Sequence, residues 1–131
     1  MNISIIEPVG GHGGMNYYDF SLAYGLSHAG CLVSVYTCDE TNPPNNNAIN
    51  MFPVFKGIYG ASNKYYRGLK YIKGLIVSLV NSRKRKATIC HFHFFHSGVI
   101  ELLTVLLARL SWFKVVITVH DIESFAGNSS R

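Results

Sequence analysis

Ile3-Ser4-Ile5-Ile6-Glu7-Pro8-Val9-Gly10-Gly11-His12-Gly13-Gly14-Met15 is the stretch that decides the fold. Its first four residues form a short, almost continuously apolar run, the pattern of a strand covered on both faces. Glu7 and Pro8 end the run, and a cluster of glycines follows. Glycine permits positive φ and close backbone approach, and a helix starting just beyond supplies unpaired N–H groups and the positive end of its dipole. The stretch therefore predicts a strand, a loop suited to an anion, and a helix N-terminus.

Downstream, Met15, Tyr18, Leu22, Leu26 and Ala29 recur near helical spacing, and Gly30 marks the stop. Cys31 to Thr37 is apolar and β-branched enough for a second strand, which a right-handed crossover lays parallel to the first. Asp39 to Asn50, with Asn42-Pro43-Pro44-Asn45-Asn46-Asn47, reads as a mobile surface loop. Met51 to Phe55 makes a third, shorter strand that Pro53 assigns to an edge.

From about Ser62 to Asn81, Tyr65, Leu69, Ile72, Ile76 and Leu79 follow helical spacing, with Lys64, Arg67, Lys70 and Lys73 on the remaining arc. This predicts a basic amphipathic helix, closed by Arg83-Lys84-Arg85-Lys86, where cations match the helix dipole. Ala87 to Phe95 reads as a strand with His91 and His93 on one face and His96 at or past its carboxyl end. Ser97 is positioned to cap a helix from about Gly98 to Leu110, and Lys114 to Val119 is a final strand that leads into His120-Asp121. The alternation predicts an α/β fold, a Rossmann-like open parallel sheet with helices on both faces. Ligands of such sheets lie beyond the strand carboxyl ends, where the glycine loop, Asp39, His93, His96 and His120-Asp121 all fall.

Composition sets the class. A 131-residue chain with 48% apolar and 13% aromatic content holds one domain with a real core and excludes disorder. The N-terminus lacks the basic segment of a signal peptide, and no run reaches the roughly 18 apolar residues of a membrane span. Three separated cysteines read as packed thiols in a reducing cytoplasm. Nine of the twelve Lys and Arg residues lie between Lys56 and Lys86, a region without Asp or Glu, so the net charge of +5 is local. That asymmetry predicts a surface facing lipid headgroups or phosphates, or a solvated helix face, more than nucleic acid, for which the chain has no binding motif.

The glycine loop does not match G-x-G-x-x-G, because Asn16 stands where the third glycine belongs, although Asp39 or Glu40 retains the ribose position. A Walker loop is excluded, since no Lys-Ser or Lys-Thr follows the glycines. His91, His93 and His96 lack the further ligands of a metal site, and no metal is expected. His120 is the strongest candidate for chemistry, because an imidazole at a strand's carboxyl end can exchange hydrogen bonds with a sugar hydroxyl or a phosphate near neutral pH.

Three stretches in order carry a family resemblance: Gly13-Gly14, then fifteen helical residues and Gly30-Cys31-Leu32-Val33-Ser34-Val35-Tyr36-Thr37; Ala87-Thr88-Ile89-Cys90-His91-Phe92-His93; and Val115-Val116-Ile117-Thr118-Val119-His120-Asp121. Together they resemble the N-terminal, acceptor-side domain of GT-B-type, family 4-like retaining glycosyltransferases. The resemblance implies one half of a GT-B fold across residues 1–131, incomplete, with the C-terminal donor-binding domain absent or supplied by a separate subunit, and little activity for this chain alone. It implies sugar transfer with retention from a nucleotide-sugar to an acceptor glycan or lipid, without a cofactor. By position, Gly13 and Gly14 are the donor-phosphate backbone, His120 the active-site histidine, and His12, His93, His96 and Asp121 acceptor-pocket candidates. It also favours a cytoplasmic protein held peripherally on the inner face of an anionic membrane by Lys64, Arg67, Lys70 and Lys73. The competing expectation is a stand-alone nucleotide- or NAD-binding Rossmann domain.

Overall fold

The computed structural model describes residues 1–120. Five strands, β1 (Asn2–Ile6), β2 (Leu32–Cys38), β3 (Asn50–Phe55), β4 (Ile89–Phe94) and β5 (Lys114–Val119), form one parallel sheet in the order β3-β2-β1-β4-β5. Three helices connect them: α1 (Met15–His28), α2 (Lys64–Lys84) and α3 (Val99–Leu110). The fold is thus the expected Rossmann-like open α/β sheet. The chain leaves β1 toward β2 but returns from β3 to the other side of β1, making the β1–β4 junction the topological switch point.

Period-two alternation along the strands divides the core between the two sheet faces. Ile3, Ile5, Val33 and Val35 pack with Phe20 and Ala23 of α1. Ile6, Tyr36, Cys38, Phe55, Cys90 and Phe92 pack with Leu75 and Leu79 of α2 and Ala108 of α3. Edge strand β3 accommodates Pro53 opposite Thr37, and the β2–β3 register shifts between Thr37 and Cys38.

Three local expectations change. The buried face of α2 is Gly74, Leu75, Ser78, Leu79 and Ser82, whereas Tyr65, Leu69 and Ile76 are exposed. At Gly74 the ring of Phe55 leaves no room for a side chain, since a Cβ there would lie 2.5 Å from it. The cap of α3 is Gly98, with no side-chain hydrogen bond, so Ser97 does not cap it. The loop between β2 and β3 is anchored inward, with Thr41 and Ile49 buried.

Candidate functional site

The carboxyl end of β1 passes into Glu7, which is fully buried. Its carboxylate accepts hydrogen bonds from the backbone N–H of Val9 at 2.9 Å and of Gly10 at 2.5 Å, and so shapes the loop from its base. The glycines that follow serve two different needs. Gly10 has φ +53°, and a Cβ there would sit 2.0 Å from Thr41 Oγ1 and 2.2 Å from Thr37 Oγ1. The loop is thereby drawn against the end of β2, where the Gly11 N–H donates to Thr41 Oγ1 at 2.9 Å. Gly13 and Gly14 also have positive φ, but a Cβ on Gly13 would meet nothing within 4 Å. They form a 3₁₀ turn (His12–Gly14) and the residue from which α1 starts, leaving open backbone at the helix N-terminus.

A cleft of about 710 Å³ opens here, lined by the loop, the first turns of α2, the end of β4 and His120. Gly13, His12, His93, His96 and His120 all line it. So do Lys64 and Arg67, whereas Lys70 and Lys73 line a separate groove with Val54, Lys56 and Tyr66. The four basic positions of α2 therefore serve two surfaces. Asp121 lies outside the described residues. Asp39, the ribose candidate, accepts from the Gly57 N–H at 3.1 Å.

The histidines differ in surroundings. His12 pairs with Glu40 at the rim and packs against Tyr59, the rings tilted by 33° with centroids 3.9 Å apart. His96 is exposed. His120 donates its backbone N–H to Phe94 O at 2.8 Å, which extends the β4–β5 pairing by one residue, and its ring stacks on Phe95. His91 Nε2 meets Thr118 Oγ1 at 2.8 Å. His93 is 3% exposed, and its Nδ1 stands 2.9 Å from Asp19 Oδ1, a close polar contact whose angles fall short of a hydrogen bond.

Glu7 and Asp19 are the residues that sequence reasoning passed over. Both are buried, and burial pushes each carboxyl up to about 7; in Glu7 the neighbouring Asp19 charge adds to the rise, while in Asp19 the hydrogen bond with Glu7 opposes it. Burial lowers the His93 pKa, opposed by the Glu7 charge, and lowers that of His91 to about 4, with His93 and His120 adding to the effect. Two carboxyls and two imidazoles thus meet at the switch point, where near neutral pH full ionisation is disfavoured for all of them. A signal for Asp19 exists in the sequence: it precedes Ala23 by four residues, on the sheet-facing side of α1.

Among the described residues no group of three or more His, Cys, Asp or Glu side chains is arranged to hold a metal ion, and no helix there is long and apolar enough to cross a membrane. No protein-family model matches the chain, and a search of curated proteins finds no match.

Proposed function

We propose that this domain is the acceptor-side half of a GT-B-type retaining glycosyltransferase, acting with a donor-binding domain that closes over the cleft. One observation carries the reading: residues from all three resembling stretches, remote in sequence, border one cleft at the β1–β4 switch point. In this proposal the open backbone of Gly13 and Gly14 receives the donor diphosphate, because positive-φ glycines before a helix start allow close approach of an anion. His120 stands beside the transferred sugar as a hydrogen-bonding group, and His12, His93 and His96 border the acceptor. Lys64 and Arg67, at the mouth of the cleft, add positive potential that draws an anionic donor or acceptor inward. Sugar transfer between a nucleotide-sugar and a glycan or lipid needs binding, orientation and charge stabilisation, all of which the cleft offers.

The membrane part of the proposal rests on a different surface. The exposed side of α2 presents Tyr65, Leu69, Ile76 and Val80 among lysines, and α3, on the same face of the sheet, exposes Leu102, Leu103, Leu106 and Leu110. Apolar side chains ringed by cations fit an anionic lipid surface, at the inner face of a cytoplasmic membrane.

The test is turnover by a protein carrying this domain together with a donor-binding domain, given nucleotide-sugars and candidate acceptors. His120→Ala should lower turnover by roughly 100-fold, the scale of a lost transition-state hydrogen bond. Wild-type turnover would remove His120 from the site, and tight NAD binding by the 131-residue chain would replace the transferase reading with a dinucleotide-binding one.

A further inference from the structure

Of the residues lining the cleft, His93, His120 and Arg67 each hold a buried side-chain nitrogen without a hydrogen-bond partner, and of the three only His93 is buried as a whole residue. His93 is 3% exposed, lines the cleft, and its Nε2 has no hydrogen-bond partner. Its ring is held on several sides: Tyr18 and His120 pack at centroid distances of 5.3 Å and His91 at 4.8 Å, each edge-on or steeply inclined. None of these neighbours satisfies Nε2. On the other side of the ring Asp19, itself 1% exposed, faces Nδ1 at 2.9 Å. A buried and rigidly held imidazole nitrogen at a cleft wall is costly unless a water or a ligand that displaces it completes the hydrogen bond.

We propose that His93 is the hydroxyl-recognition residue of the cleft, with Asp19 fixing a proton on Nδ1 so that Nε2 accepts a hydrogen bond from a sugar hydroxyl. The inference rests on reading the cleft as a sugar site, and it assigns the chemical class of group taken at this position. A carboxylate oxygen 2.9 Å from Nδ1 favours a proton on that nitrogen electrostatically even without hydrogen-bond angles, and leaves only a lone pair on Nε2. Such a nitrogen cannot serve a fully ionised phosphate or carboxylate, which also only accept. It serves an O–H. Burial favours the neutral ring, which preserves that lone pair; the titratable groups facing it are Glu7 beyond the end of β1, Tyr18 and Asp19 on α1, His91 on β4 and His120 after β5. Asp19 is a positioning residue, touching the ligand only through His93. The division of labour is then spatial, with anionic groups at Gly13, Gly14, Lys64 and Arg67 and a hydroxyl at His93.

The experiment is ¹⁵N-histidine NMR on the 131-residue chain, with long-range proton–nitrogen spectra that report which ring nitrogen carries the proton. His93 should show a protonated Nδ1 and a bare Nε2 at neutral pH, and Asp19→Asn should mix or reverse the two tautomers without unfolding the chain. Methyl α-glucopyranoside should then shift His93 Nε2 upfield, while its fully O-methylated analogue, which has no hydroxyl, leaves it in place. A proton on Nε2 overturns the inference. So does an Nε2 signal that ignores methyl α-glucopyranoside or responds equally to both sugars. The transferase reading is judged by turnover, so the two fail independently: turnover with a silent Nε2 refutes only the hydroxyl assignment, and a responding Nε2 without turnover refutes only the transferase.

Discussion

Alternate residues of β4 meet opposite surroundings. Cys90 and Phe92 lie buried in the core shared with α2 and α3, and Phe92 stacks along the strand on Phe94. His91 and His93 point to the α1 side, where Thr118, Asp19 and His120 are their neighbours. Both faces bury polar atoms without hydrogen-bond partners, Tyr36 Oη and Ser82 Oγ on the first and Asp19 Oδ1, His93 Nε2 and His120 Nε2 on the second, but of these residues only His93 and His120 line the cleft. One strand therefore divides its residues between holding the sheet and lining the cleft. Dispersion and hydrophobic burial stabilise the first set, and the second reduces that stability.

The comparison breaks first on its apolar side. Phe92 is 1% exposed in the middle of the larger core cluster, and Phe92→Ala should destabilise the domain by about 3–5 kcal/mol, read from chemical denaturation. A loss under about 1 kcal/mol would mean that the α2–α3 face does not hold the sheet.

The polar side is sharpened by pH. A buried carboxyl raised from 4.5 to about 7 binds more protons folded than unfolded across that interval. Its stabilising contribution is fully present below the unfolded value and is lost as pH rises through about 7. His91 works in the other direction: with its value lowered from 6.5 to about 4, the unfolded state takes up protons first, and stability falls as pH drops through that window. The two trends oppose each other in the wild type, so the difference between variants is the cleaner measurement. Glu7→Gln should gain on the wild type by on the order of 2–3 kcal/mol between pH 4.5 and pH 8, whatever the absolute cost of its altered loop contacts. Parallel stability curves would show that Glu7 titrates as an ordinary solvated acid.

Much of this architecture was legible because its causes are local or periodic. The apolar run at Ile3 to Ile6, the glycines after it and the β-branched segment Lys114 to Val119 each imply their element, and right-handed crossovers constrain the sheet. Periodicity fails where packing runs against residue size. On α2 the larger apolar residues Tyr65 and Leu69 stay exposed while Gly74 and Ser78 join Leu75 and Leu79 on the buried face, and at Gly74 the ring of Phe55, from the preceding strand, fills the space a side chain would need. The acid pair is hidden for a related reason. Glu7 reads as the polar end of a strand and Asp19 as one more polar residue on a helix, and only their meeting beneath the glycine loop turns them from solvated groups into buried ones. His93 was visible as a residue at the strand's carboxyl end, but its contact with Asp19 depends on where the first turns of α1 meet the end of β4 in the folded sheet.

The smallest effect should come from the loop that joins the two regimes. Gly10 belongs with the packed side, since a side chain there collides with Thr41 and Thr37, whereas Gly13 has φ +70° and open space around it. Gly13→Ala should therefore cost only the left-handed backbone penalty, about 1–2 kcal/mol by denaturation. A larger loss would mean that Gly13 is held by the fold in the way Gly10 is. If the loss is this small and turnover by the two-domain protein nevertheless collapses, the added methyl acts by obstructing a ligand's approach to the backbone. Stability and function would then separate at a single atom, which follows if the glycine is retained for the space it leaves in the cleft.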